Sequence, residues 1–157
     1  MLRKITPHDT VTLTDEMYEI IMGGNFTLTE IKLINIYIGL VDQSDPSTRD
    51  ISIKLIDVWP YLQDSEDWKS NGESVTEAVK HLSECTYLMF HRYEKKLFRT
   101  FRTYQDKQGS WILEMSAHDD IMDYVFPDAL RLNKELAEEM DGATVTINGK
   151  KYVIEVV

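Results

Sequence analysis

An aspartate-rich stretch is the first candidate for chemistry. Residues 119–123 read Asp-Asp-Ile-Met-Asp, the DDxxD pattern that binds magnesium and diphosphate in isoprenoid-processing enzymes. Those enzymes resemble large all-helical cups, whereas this chain has 157 residues and several strand-like runs. Acidic residues in the first turn of a helix are also favoured by the helix dipole alone. We therefore interpret these aspartates as a helix start, and we predict no metal site and no cofactor.

A second candidate pairs the single cysteine with a histidine one helical turn earlier. Cys85 and His81 are four residues apart, so a helix would place them on one face, as a nucleophile and its base require. The sequence suggests no third group to orient the histidine, and a lone cysteine near a helix end is more often a small buried hydrophobic residue. Glycine patterns of phosphate loops and nucleophile elbows do not occur. We predict a non-enzymatic protein without catalytic residues.

A short basic segment is the strongest candidate for binding. Residues 79–107 contain seven Lys and Arg against three Asp and Glu, whereas residues 1–78 contain six against fourteen and residues 108–157 four against ten. Cations interleaved with aromatic residues suit contact with a phosphate backbone; the alternative is the solvated outer face of a half-exposed sheet. The predicted DNA contacts are Arg92, Lys95, Lys96, Arg99, Arg102 and Lys107, with Lys80 and His81 as candidate groove contacts.

Composition narrows the class of protein. The net charge of −10 argues against coating nucleic acid with the whole surface, because such binding depends on cations that displace counterions from phosphates. One cysteine cannot form a disulfide within the chain, and residues 1–15 lack the apolar run of a signal sequence. No apolar stretch approaches the ~20 residues of a membrane span. We expect one cytoplasmic domain outside the membrane.

Capping signals and hydrophobic spacing predict an α+β fold. Capping boxes at Thr27–Glu30 and Ser74–Glu77 mark two helix starts, and Asp57 is expected to cap a short helix with Pro60 in its first turn. The dipeptide Asn148-Gly149 predicts a C-terminal β-hairpin. The predicted helices cover 14–22, 27–42, 57–62, 74–84, 118–126 and 128–140. The predicted strands cover 51–55, 86–93, 97–104 and 111–115, the last three forming an antiparallel meander.

The helix predicted over 27–42 has apolar residues on more than one side, which indicates burial on more than one face. It is either the central core helix or a core helix that also meets a partner subunit. In the second case the dimer interface would be formed by Leu33, Ile36, Tyr37 and Leu40.

The order of these elements resembles the N-terminal winged-helix domain of plasmid replication initiator proteins of the iteron-binding Rep type. The similarity spans residues 11–126 and runs through FTLTEIKLINIYIGLV, ISIKLIDVWPYL, SVTEAVKHLSECTYLMF, LFRTFRTYQDKQGSWILEMSA and DDIMDYVFPD. It implies a winged helix with a three-stranded antiparallel meander in residues 1–126. Residues 127–157 would add a C-terminal helix and a β-hairpin, packed on it within a single domain.

In that family the first winged helix typically mediates dimerisation and contacts the DNA backbone, while a second makes much of the sequence-specific contact. Here an acidic helix and a hairpin stand where the second would follow, and the surface is unusually acidic. Both departures weigh against autonomous recognition of a DNA sequence.

Two functional hypotheses follow. The first is a non-enzymatic, replication-initiator-like domain that forms homodimers and contacts duplex DNA mainly through its backbone. The alternative is an acidic protein-interaction or regulatory module on a winged-helix scaffold that does not itself bind DNA. Glu77 and Glu84 on the helix before the basic strands would be repelled by phosphate, so we do not expect that helix to read bases.

Overall fold

A computed structural model describes residues 13–62, 68–127 and 144–153, and within these ranges the chain is an α+β protein. The helices are α1 (Asp15–Gly23), α2 (Leu28–Leu40), α3 (Leu55–Leu62), α4 (Trp68–Glu84) and α5 (Met122–Val125), with 3₁₀ helices η1 (Pro46–Arg49) and η2 (Asp119–Ile121). The strands are β1 (Ile51–Lys54), β2 (Thr86–Met89), β3 (Tyr93–Lys96), β4 (Phe98–Gln105), β5 (Trp111–Ala117), β6 (Thr144–Ile147) and β7 (Lys150–Val153). Among the described residues, no helix combines the length and apolar character needed to cross a bilayer.

Threonine caps begin the first two helices, and the cap at Thr27 confirms its prediction. The hydroxyls of Thr14 and Thr27 accept hydrogen bonds from the backbone N–H groups of Met17 and Glu30, each at 3.2 Å, which satisfies donors that a helix start leaves without partners. The Glu30 carboxylate, expected to cap Thr27 in return, is instead buried 2.8 Å from Nδ1 of His81. Only the threonine half of the capping box therefore forms, and the carboxylate of Glu30 instead contacts α4.

Two predicted helix starts are wrong. Helix α4 begins at Trp68, so Ser74 lies inside it and does not cap it; Asn71 and Gly72 favour a loop by propensity, but propensity is a weak preference that context overrides. Helix α3 begins at Leu55, before Asp57, and Pro60 therefore lies inside the helix rather than in its first turn.

The central sheet brings together strands that are distant in sequence. Its order is β1-β5-β4, with antiparallel pairs such as Ile53 with Leu113 and Phe101 with Met115. The predicted meander is wrong in its first strand, because residues 86–96 reverse direction and pair with each other as the separate β2–β3 hairpin. The third strand of the sheet is β1, which pairs with β5 on the side away from β4, and its alternating Ile51 and Ile53 are buried in the core.

The α2 helix is the central core helix. The four side chains predicted to form a dimer interface are all within the core, with at most 9% of their surface exposed. They are Leu33, Ile36, Tyr37 and Leu40. This prediction needs correction, because a second copy could contact these side chains only after the core had opened.

The hydroxyl of Tyr37 joins three elements. It donates to the carbonyl of Arg49 at 2.8 Å and accepts from the backbone N–H of Ala117 at 3.0 Å. The ring packs edge-on against Phe98, with centroids 5.4 Å apart. Burial raises the pKa of Tyr37 to about 12. The end of η1 and the end of β5 are thereby held against α2.

The C-terminal part of the chain agrees in part with prediction. Asn148 and Gly149 have φ of 53° and 79° and join β6 to β7, which confirms the Asn-Gly hairpin. The helix predicted over 118–126 is η2 followed by α5, capped by Nδ1 of His118, which accepts from the N–H of Asp120 at 3.1 Å. The helix predicted over 128–140 lies outside the described residues. That residues 127–157 pack on the rest stays a prediction.

We expect Tyr37→Phe to lower the free energy of unfolding by about 1–3 kcal/mol, because the N–H of Ala117 and the carbonyl of Arg49 would lose their partner in a buried place. Urea denaturation at neutral pH measures this change, and Tyr18→Phe on the exposed side of α1 is the control.

The wild type and Tyr37→Phe also test the raised pKa of Tyr37. Tyr37 ionises near pH 10 when unfolded but at about 12 when folded, so its contribution is complete below pH 10 and declines as the pH rises towards 12. The advantage of the wild type over Tyr37→Phe should therefore shrink between pH 9 and pH 11. An unchanged advantage would contradict the burial of this hydroxyl.

Candidate nucleic-acid interface

The predicted DNA contacts are divided among four elements, and the six that were expected on one meander are split between two sheets. Lys80 and His81 lie on α4, and Lys107 lies in the turn between β4 and β5. The remaining five lie in two groups. Arg92, Lys95 and Lys96 belong to the β2–β3 hairpin, whereas Arg99 and Arg102 project from β4 in the central sheet.

Arg99 is bound within the protein. Its Nη2 donates to Oδ1 of Asp50 at 2.6 Å and its Nε donates to Oγ of the buried Ser116 at 2.8 Å. Ser116 in turn donates to Asp50 at 2.6 Å. The hydrogen bonds from Ser116 and Arg99 hold the pKa of the Asp50 carboxyl below its usual value. The charge of Arg99 is already paired within the protein, which makes it a less available phosphate contact than an unpaired cation; its role in DNA binding stays a prediction.

Arg102 has a similar arrangement on the outer face of the sheet. Its Nε lies 3.0 Å from Oε1 of Glu114, the residue directly opposite on β5, and its guanidinium carbon lies 5.0 Å from the ring centroid of Tyr104. The hydrogen bond to Glu114 raises the pKa of Arg102. On this face the alternative interpretation, a solvated sheet surface with paired charges, describes the arginines better.

His81 is oriented by a carboxylate that the sequence did not suggest. Glu30 lies 2.8 Å from Nδ1 of His81, and the ring of Phe26 has its centroid 6.0 Å away. Cys85 is buried, donates weakly to the carbonyl of Leu82 at 3.7 Å, and has its pKa raised to about 11 by burial. A thiol that stays protonated is a poor nucleophile. The group of Glu30, His81 and Cys85 is therefore better explained as packing between α2 and α4.

The aspartate-rich stretch is engaged in structural contacts. Asp119 lies 2.8 Å from Nη2 of Arg49, which lowers the pKa of Asp119. Asp120 accepts from the backbone N–H of Lys96 at 3.0 Å. Within the described ranges, no group of three or more His, Cys, Asp or Glu side chains could hold a metal ion.

The β2–β3 hairpin is anchored at its base. Besides the bond from Lys96 to Asp120, the N–H of Leu97 donates to the carbonyl of Cys85 at 3.4 Å. Met89 is buried in the core. Tyr87 lies so close to Gly23 that a Cβ there would approach its hydroxyl to 2.7 Å. These contacts hold the hairpin against the body of the protein, from its base at Lys96 to Met89 next to the turn.

The hairpin also carries cations without acidic partners. Arg92, Lys95 and Lys96 make no ion pair within the part of the chain that the structure describes, in contrast to Arg99 and Arg102. Glu94, the acidic residue of the hairpin, accepts a hydrogen bond from the hydroxyl of Thr86 at 3.1 Å. Lys80 and Lys107 are exposed and likewise have no ion pair among the described residues.

Sequence reasoning missed the turn at the end of this hairpin. Phe90 and His91 have φ of 55° and 56°, and the N–H of Arg92 closes the turn by donating to the carbonyl of Met89 at 3.0 Å. Such turns usually contain Asn or Gly, so the pattern of Thr86–Tyr93 predicted one continuous strand. An L-residue in this left-handed region costs about 1–2 kcal/mol.

Three large apolar side chains are exposed in this region, which we call the hairpin tip (Leu88–Tyr93). Phe90 is 64% exposed, Leu88 51% and Tyr93 53%. A second exposed apolar region, formed by Ile56 and Trp111, borders a groove of about 430 Å³ at the start of α3.

Comparison of the chain with protein-family models, with curated proteins and with solved structures finds no match. The geometry of the described residues is therefore the basis for the functional argument.

We expect Cys85 to resist alkylation. With a pKa of about 11, its thiolate fraction at pH 8 is roughly 200-fold below that of a free cysteine of pKa about 8.5. Iodoacetamide labelling of the native protein should be correspondingly slow and should rise about tenfold per pH unit up to pH 10.

The control for this measurement is His81→Ala, which should leave the labelling rate unchanged. Labelling of the wild type at the rate of free cysteine, together with slower labelling of His81→Ala, would show an activated thiol.

Proposed function

We propose that this chain is a winged-helix domain that contacts the phosphate backbone of duplex DNA through its β2–β3 hairpin. The order helix, strand, helix, helix, strand, strand is that of a winged helix, and it corresponds here to α2, β1, α3, α4, β4 and β5. The sheet order β1-β5-β4, with the last strand between the other two, supports the same assignment. The resemblance to replication initiators gives it a functional context.

The observation that carries the proposal is the separation of cations into paired and unpaired sets. Arg99 and Arg102 have carboxylate partners at 2.6 and 3.0 Å, whereas Arg92, Lys95 and Lys96 have none among the described residues. Releasing a cation from an ion pair opposes its transfer to a phosphate, and an unpaired surface cation has no such cost. In a chain of net charge −10, the hairpin cations can therefore contact phosphates without first breaking an ion pair.

The proposal includes a non-enzymatic, cytoplasmic role like that of an initiator. Homodimer formation is part of it, but through a surface other than the buried side chains of α2. Contact mainly with phosphates implies weak dependence on DNA sequence, because backbone contacts position a protein without specifying bases.

We expect binding to a duplex to weaken with salt. The slope of log K against log salt should become less negative by about 1 for Arg92→Ala and for Lys95→Ala, because each removes one phosphate contact. Fluorescence anisotropy of a labelled duplex across a salt series measures this slope.

The matched control is Arg102→Ala, which removes a cation already paired with Glu114 and should leave the slope unchanged. A slope that responds to Arg102→Ala but not to the two hairpin variants would place the contact on the sheet instead.

The alternative remains a protein-interaction module. The exposed Ile56 and Trp111 beside the groove at α3 favour it, because exposed apolar patches mark interaction sites. Absence of DNA binding at low salt, with biological activity retained after charge reversal at Lys95 and Lys96, would favour this alternative.

A further inference from the structure

The hairpin tip combines backbone strain with exposure. Phe90 and His91 both have positive φ, a region where a bulky side chain is an outlier. The Phe90 ring is 64% exposed, so its burial within the protein contributes little stabilisation to offset this backbone strain. Strained residues of this kind persist mainly where the strained conformation has a use.

The residues beside Phe90 indicate which chemical class of molecule could bind the hairpin tip. The next residues along the chain supply Arg92 and Lys95, which have no ion pair in the described part of the protein. An aromatic face beside unpaired cations is complementary to a polyanion that also has flat apolar surfaces. Single bases stack on aromatic side chains, and Phe is among the residues that act as wedges between base steps.

We propose that Phe90 is an apolar wedge that inserts against the bases of DNA while Arg92 and Lys95 contact the adjacent phosphates. This inference rests on the proposed function and adds to it a contact with bases and a local unstacking of the duplex. The hairpin gives the wedge a rigid support, since Met89 next to the turn is buried and Lys96 at the base is bonded to Asp120.

An anionic lipid surface fits the hairpin tip less well. Glu94 lies directly opposite Leu88 and therefore shares its face, and its carboxylate would enter the headgroup region together with the apolar side chains. DNA requires only the ring at the end of the turn to be inserted, and Glu94 can stay in water.

The test uses a duplex that contains 2-aminopurine, whose fluorescence rises when the base is unstacked. We expect saturating wild-type protein to raise this fluorescence. The double variant Phe90→Asn/His91→Gly places Asn-Gly at the two positive-φ positions, and it should melt at the same temperature as the wild type or higher. This variant should nevertheless produce no fluorescence increase and should bind the duplex about tenfold more weakly. Its slope of log K against log salt should be unchanged, because the phosphate contacts remain.

The outcomes separate this inference from the proposed function. Duplex binding by the wild type without a fluorescence increase would overturn the wedge and leave the backbone contact intact. No duplex binding at low salt would overturn both, as would binding to phosphatidylserine vesicles in its place. Tyr18→Ala, which removes an exposed aromatic ring on α1, is the control and should retain the fluorescence increase.

Discussion

The hydroxyl of Tyr37 is the contact on which the other elements depend. It lies between the carbonyl of Arg49 and the N–H of Ala117, and Nη2 of Arg49 also donates to the carbonyl of Ala117 at 2.6 Å. One buried ring therefore aligns the chain just before β1 with the end of β5. Strands β1 and β5, whose paired residues are about 60 positions apart in sequence, are brought into one sheet beside a single helix.

The position of the hairpin follows from this junction. Beyond Ala117 the chain turns into η2, where the N–H of His118 donates to the carbonyl of Leu97 at 2.9 Å and Asp120 accepts from the N–H of Lys96. The base of the hairpin is thus connected to the segment after β5 by one backbone–backbone hydrogen bond and one from a backbone N–H to a carboxylate. Its charged side chains are left to the solvent because its attachment to the body does not use them.

Electrostatic pairing divides the basic segment into two parts with different roles. On the central sheet, Arg102 lies opposite Glu114 on the neighbouring strand, so cross-strand pairing satisfies both, and Arg99 is paired with Asp50 just before β1. The hairpin has only two strands, and its acidic residue Glu94 lies opposite Leu88. Five of the seven cations in this segment are therefore divided between a neutralised sheet face, with Arg99 and Arg102, and a hairpin with available charge, with Arg92, Lys95 and Lys96.

Local signals in the sequence predicted much of the fold, and non-local contacts account for what they missed. The threonine cap of α2 and the Asn148-Gly149 turn depend on neighbouring residues, so their side chains predict them. The pairing of β1 with β5 depends on contacts across the core. At the candidate site, the cations were predictable from composition, whereas the partners of Arg99 and Arg102 and the turn at Phe90 required the fold.

An ¹⁵N–¹H correlation spectrum, recorded while a DNA duplex is added at low salt, tests directly whether the β2–β3 hairpin contacts DNA. If the hairpin contacts DNA, chemical-shift changes will be concentrated in residues 88–96, with few changes along the outer face of β4. Shifts concentrated around Ile56 and Trp111, or on the arginines of β4 with an unperturbed hairpin, would contradict it.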